Sequence, residues 1–165
     1  MMDKPYLWHP IFVHFSVALL TVGTVSYWVA LFGAHSPRRD SGILFARWNL
    51  WLGIVAAVFT AGFGFLAFAT VPHEDNLHAS MVMHRNLALC AAVAYAVVGL
   101  WAYHLRKSTS RPPTLFALGL LMAFGLLIAT AFAGGELVFQ HGLGVSSAPT
   151  KLEPGHEHHH SHEHH

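Results

Sequence analysis

The sequence predicts an all-α integral membrane protein, a bundle of four transmembrane helices. Three observations predict it. Of the 165 residues, 54% are hydrophobic and 10% charged, whereas a soluble domain covers its surface with roughly 25% charged residues. Four stretches reach the about 20 mostly apolar residues that a bilayer crossing needs. Proline and glycine punctuate the ends of those stretches. A soluble enzyme, a disordered regulator and a disulfide-rich scaffold are thereby excluded. A net charge of +1 leaves no basic footprint for nucleic acid, and the lone Cys90 has no partner for an internal bridge.

The transmembrane domain is expected over residues 1–145, with spans at 11–34, 48–70, 84–105 and 114–139. The first carries no charge from Ile11 to Ala34. Pro10 stands where a helix begins without needing its N–H, and Ser36–Pro37 closes the span. The second opens on Trp48 and stops before Pro72. The third carries His84 and Arg85 in its leading turn and ends on Trp101 and Tyr103. Pro112–Pro113 precedes the fourth, and Gly134–Gly135 lies near its end. Small residues recur at helix-packing spacing in the second span (Gly53, Ala57, Ala61, Gly64), the third (Ala88, Ala91) and the fourth (Gly119, Ala123), letting helices approach closely. Residues 146–165 read as a disordered His-rich tail, since Pro149–Gly155 offers no apolar face.

Four crossings put both termini on one side, A. The opposite side, B, takes Arg38, Arg39, Arg47, Arg106, Lys107 and Arg111, six of the nine basic residues. The positive-inside rule makes side B cytoplasmic. The expectation is a multi-pass protein of the bacterial inner membrane with both termini periplasmic.

Histidine is the unusual residue, with 15 in the chain. Only His35 and His104 fall on side B. His14 and His84 begin the first and third spans at matched depth, where an imidazole is costly unless paired, so they are the expected cofactor-binding pair. His9, His73, His78, His84, Glu136 and His141 crowd the same side with Met81 and Met83, and imidazole, carboxylate and thioether are metal-ligand types. On this reading His73, Glu74, Asp75, His78, Met81, Met83 and His84 lie in the loop between the second and third spans, and a turn at Gly134–Gly135 can bring Glu136 and His141 together. The tail adds His156, His158, His159, His160, His162, His164 and His165, a composition that binds transition metals loosely. No phosphate loop, nucleophile elbow, zinc-protease helix or covalent haem motif is present, and enzymatic turnover is left open.

Three segments carry a resemblance. HPIFVHFSVALL (His9 to Leu20), HRNLAL (His84 to Leu89) and GGELVFQHGLGV (Gly134 to Val145) resemble segments of a bacterial membrane-protein family, the domain-of-unknown-function 2231 family, over about residues 7 to 145. Ser16 stands where that family usually has proline. The resemblance implies an integral membrane protein with a role in electron transport, some members being linked to Rieske-type domains. The matching positions are His9, Pro10, His14, His84, Gly135, His141, Gly142 and Gly144.

Two chemistries and a third, non-catalytic reading remain open on the sequence. In the first, His14 and His84 hold a b-type haem between facing helices, exchanging electrons with a periplasmic carrier or a quinol. In the second, His14, His84, His141 and Glu136 converge on Cu or Zn for sensing, storage or delivery, with the tail concentrating metal. In the third, the protein is an accessory subunit, in a homo-oligomer or a larger membrane complex.

Overall fold

The computed structural model describes residues 8–32, 37–70, 75–107 and 113–143. The expected tail, His35, His73 and Glu74 lie outside these residues. Four long helices are seen: α1 (Trp8–Phe32), α2 (Pro37–Thr70), α3 (Asp75–His104) and α4 (Thr114–Phe139). A short 3₁₀ turn, Leu105–Lys107, follows α3. All four are long and apolar enough to cross a membrane.

Two helices begin earlier than hydropathy predicts. α2 starts at Pro37 rather than Trp48, and α3 at Asp75 rather than His84. The physical reason is the same in both cases. The added turns carry charges, Arg38, Arg39, Asp40 and Arg47 in α2 and Asp75 in α3, that interrupt the uncharged run, yet proline is well placed in a first helical turn and a carboxylate is favoured at a helix N-terminus. At 34 residues, α2 is about 51 Å long and exceeds the hydrocarbon layer of about 30 Å. α3 carries His78, Met81, Met83 and His84 as helical residues, so the metal-ligand types expected in a loop are instead distributed around a helix, with Met81 buried and Met83 exposed. α4 runs unbroken through Gly134–Gly135 to Phe139, so no turn there folds His141 back onto Glu136.

The helices are antiparallel neighbours in ring order, with α1 beside α2 and α4, and α3 beside α2 and α4. α1 and α3 are diagonal partners. The hairpins α1–α2 and α3–α4 have the most extensive interfaces. Close approach in the first comes from Gly23 and Gly53. A Cβ on Gly23 would lie 3.0 Å from Leu50 N, and one on Gly53 2.7 Å from Leu20 Cδ2. Backbones meet there because no side chain intervenes.

The hairpins are two copies of one plan. A step of 75 residues takes His9 to His84 and likewise takes Ser16, Leu20, Gly23, Thr24 and Tyr27 to Ala91, Tyr95, Val98, Gly99 and Ala102. All ten of these α1 and α3 core residues are buried. A step of 70 takes Ala46, Leu50 and Gly53 in α2 to Phe116, Leu120 and Ala123 in α4, again all buried. Sizes are complementary at several pairs. Leu20 matches Tyr95, Gly23 matches Val98, Tyr27 matches Ala102 and Ala46 matches Phe116. Equivalent side chains converge on the middle of the bundle, where close packing leaves no room for two large ones. Tyr27 meets Phe116 edge-on at 5.3 Å between centroids, filling the space that the alanines at 46 and 102 leave. Thr24 Oγ1 and Tyr95 OH, 3.0 Å apart, tie α1 to α3 across the diagonal.

Candidate functional site

At the end of the bundle where α1 and α3 begin, each half presents one histidine in the same setting. His9 Nδ1 donates to the Thr60 carbonyl at 3.0 Å. His84 Nδ1 donates to the Thr130 carbonyl at 3.2 Å. A carbonyl can only accept, so Nδ1 carries the proton, and in the neutral ring Nε2 keeps a bare lone pair. Each threonine spends its own hydroxyl on the carbonyl four residues back, Thr60 on Ala56 at 2.9 Å and Thr130 on Leu126 at 2.8 Å.

One turn beyond each threonine stands a glycine. A Cβ on Gly64 would lie 3.0 Å from His9 Cε1, and one on Gly134 2.9 Å from His84 Cε1. The glycines are notches that let an imidazole lie against the neighbouring helix. The local sequence is the same in both, Thr60-Ala61-x-x-Gly64 and Thr130-Ala131-x-x-Gly134. In the first half the Ser16 hydroxyl also pairs with Thr60 Oγ1 at 2.6 Å; the equivalent of Ser16 in the second half is Ala91.

His9 and His84 are both half-buried. They, rather than His14 and His84, are the equivalent pair. His14 is exposed, and its Nδ1 is 2.6 Å from the Pro10 carbonyl on its own helix. Five residues from His9, it points about 140° away around α1. The remaining candidates are scattered. His78 is exposed, with its ring 5.6 Å from that of Phe68. Glu136 and His141 are exposed. Among the described residues no group of three or more His, Cys, Asp or Glu is placed to hold a metal ion. His73 and the seven tail histidines lie outside the described residues.

By sequence His9 is one of many candidate metal ligands, and Thr60, Gly64, Thr130 and Gly134 do not stand out as the framework of the two histidines. The signal was available as the twice-occurring T-A-x-x-G, 70 residues apart, beside two histidines 75 apart.

Both copies of this arrangement fall within a single family match. The model of a predicted membrane protein family, DUF2231, covers residues 7–147. The chain belongs to the DUF2231 family. No curated protein and no solved structure matches it. In this DUF2231 protein the family match spans all four helices and both histidine notches, and it stops short of most of the His-rich tail.

Proposed function

We propose that His9 and His84 are the two imidazole ligands of a membrane-embedded electron-transfer centre, a b-type haem. The observation that carries this reading is the paired hydrogen bonding. Each Nδ1 is held by a threonine carbonyl of the adjacent helix, the second-shell contact that fixes the tautomer and orientation of a ligating histidine and leaves Nε2 for the metal. Haem iron takes four nitrogens from its macrocycle and needs at most two from protein. A bare Zn²⁺ ion needs three or four protein ligands, and the described residues offer no such cluster. Two histidines in equivalent positions therefore suit haem better than an ion. When bound, haem supplies one-electron chemistry; the chain's part is to orient two imidazoles and exclude water. A periplasmic carrier or a quinol in the bilayer is the proposed partner.

The placement rests on the charge asymmetry. The histidine end faces the periplasm of a bacterial inner membrane, and the arginine end faces the cytoplasm. Copper or zinc handling is the second reading. It is favoured by the seven tail histidines, which would act apart from the helical site.

The test is the visible spectrum of the purified protein after expression with adequate haem supply. A Soret band lost in both His9→Ala and His84→Ala supports the haem centre. Tightly held metal without a Soret band moves the assignment to the second reading. Neither band nor metal leaves the protein as an accessory subunit.

A further inference from the structure

One cation stands beside the two histidines. Arg85 follows His84 directly on α3, and it is the one lysine or arginine at the histidine end among the described residues. Its guanidinium lies over the Phe68 ring of α2, with Cζ 4.8 Å from the ring centroid. Phe68 is one turn along α2 from Gly64, on the same face and nearer the end of the helix. Gly64 is where the His9 ring rests. The guanidinium therefore stands about 6 Å further along α2 than the His9 ring, toward the end of the bundle from one imidazole and next in sequence to the other. The 75-residue step takes Pro10 to Arg85, so the duplicated plan does not itself call for a cation here. An aromatic face attracts a guanidinium without using its N–H donors, and among the described residues no hydrogen bond or ion pair takes them up.

We propose that Arg85 binds a propionate of the haem that His9 and His84 hold, an inference that rests on the haem reading above. Haem b carries its two propionates on one edge of the ring, and a carboxylate is costly to bury without a partner. Inward from the histidines the bundle closes on an apolar core that includes Leu20, Leu50 and Leu120. The acidic edge therefore turns the other way, toward the end of the bundle, and Arg85 is the cation it meets there. A guanidinium matches a carboxylate with a planar fork of donors, and such charge-assisted bonds are about twice as strong as neutral ones. Phe68 holds the guanidinium against α2, the helix that also seats His9. The contact thus sets which edge of the macrocycle faces outward as well as adding affinity.

The test is titration of the haem-free full chain in detergent micelles with haem b and with its dimethyl ester, read by the Soret band. The ester keeps the iron and the ring and lacks the charged carboxylates. Wild type should bind haem b about tenfold more tightly than the ester, as one charge-assisted contact implies. Arg85→Gln should bring the two within about twofold by weakening haem b alone, and Arg85→Lys, which keeps the charge and loses the fork, should keep part of the preference. Arg106→Gln removes an exposed cation that stacks 3.4 Å over Tyr103 and should leave the preference unchanged. Equal weakening of both porphyrins in Arg85→Gln marks a structural role and overturns the contact. Equal binding of both by wild type, or a preference that survives Arg85→Gln, overturns it too and leaves the haem centre standing. Binding of neither porphyrin by wild type overturns the haem reading itself, and the propionate contact with it.

Discussion

Gly134 lies directly beneath the His84 ring, at a separation that leaves no room for a methyl group: a Cβ there would be 2.9 Å from Cε1 and 3.3 Å from Nδ1. Gly64 stands in the same relation to His9, at 3.0 and 3.2 Å. Alanine at either site gains up to about 1 kcal/mol of helix propensity over glycine. It also pushes the ring off the carbonyl that holds it. Gly64→Ala and Gly134→Ala should therefore keep full helical circular dichroism while losing most of the proposed haem centre. Unchanged binding in both would show that the notches serve packing alone.

The histidines themselves separate by position. Two ligands of one centre do not act additively. His9→Ala and His84→Ala should each remove nearly all of the tightly bound species, and the double variant should remove little more. His14→Ala, on the exposed face of α1, should keep it. Because the tail is rich in histidine, the comparison is made by absorbance or in a chain ending at Val145, so that loosely held metal does not mask the result. Loss in His14→Ala with retention in His9→Ala would restore the pairing first expected from depth alone.

The four helices were legible because 10% charge leaves a chain of this size no way to cover a soluble surface. The first eleven residues of α2 and the first nine of α3 were not, since Arg38, Arg39, Asp40 and Arg47 in one and Asp75 in the other interrupt the uncharged run. That His9 and His84 stand at the same end of the bundle was legible from the four-span topology. Which of His9 and His14 turns toward α2 was not. α1 is apolar on every face, so periodicity does not say which face α2 covers. That is decided by Gly23 and Gly53, whose contact with α2 and α1 fixes the rotation of α1 and turns His9 inward. The duplication was legible in principle from the repeated histidine and T-A-x-x-G positions, but at several equivalent core positions the side-chain sizes are exchanged between halves.

Close packing at Gly53 gives a stability prediction independent of any ligand. Its missing Cβ would overlap Leu20 Cδ2 at 2.7 Å and crowd Leu20 N at 3.0 Å. Gly53→Ala should destabilise the bundle by about 1–3 kcal/mol, the cost of overpacking. Gly62, with nothing within 4 Å of its would-be Cβ, provides the contrast. Gly62→Ala should be neutral or stabilising by up to about 1 kcal/mol. Unfolding in mixed micelles by sodium dodecyl sulfate measures both, and equal effects would sink the assigned α1–α2 contact.

Thr24 and Tyr95 make a polar contact across the α1–α3 diagonal in an otherwise apolar core. Thr24→Val and Tyr95→Phe should each cost about 1 kcal/mol, within the range measured for hydrogen bonds between membrane helices. The double variant should cost less than the sum, because either change alone already breaks the bond. Additive losses in the same unfolding assay would mean that the two hydroxyls are not partners in the membrane.

The strongest test of the duplicated plan is to separate its halves. Each hairpin has its own extensive interface, one of the two notched histidines and the threonine and glycine that seat it, while the contacts between hairpins are fewer. They include Tyr27 on Phe116, Thr24 on Tyr95, and Gly99, whose Cβ would strike Ile54 Cδ1 at 2.5 Å. Two antiparallel helices satisfy their backbone groups internally, so each hairpin should insert as a separate chain. Cutting the connection between α2 and α3, with a new start codon for the second fragment, should give two chains that co-purify when only one is tagged. The pair should bind the same species as the intact protein, and neither fragment alone should hold it, since each has only one of the two imidazoles. A single fragment that binds as tightly as the whole would refute a centre shared by His9 and His84. Fragments that insert but do not associate would show that the connection, rather than the packed interface, holds the halves together.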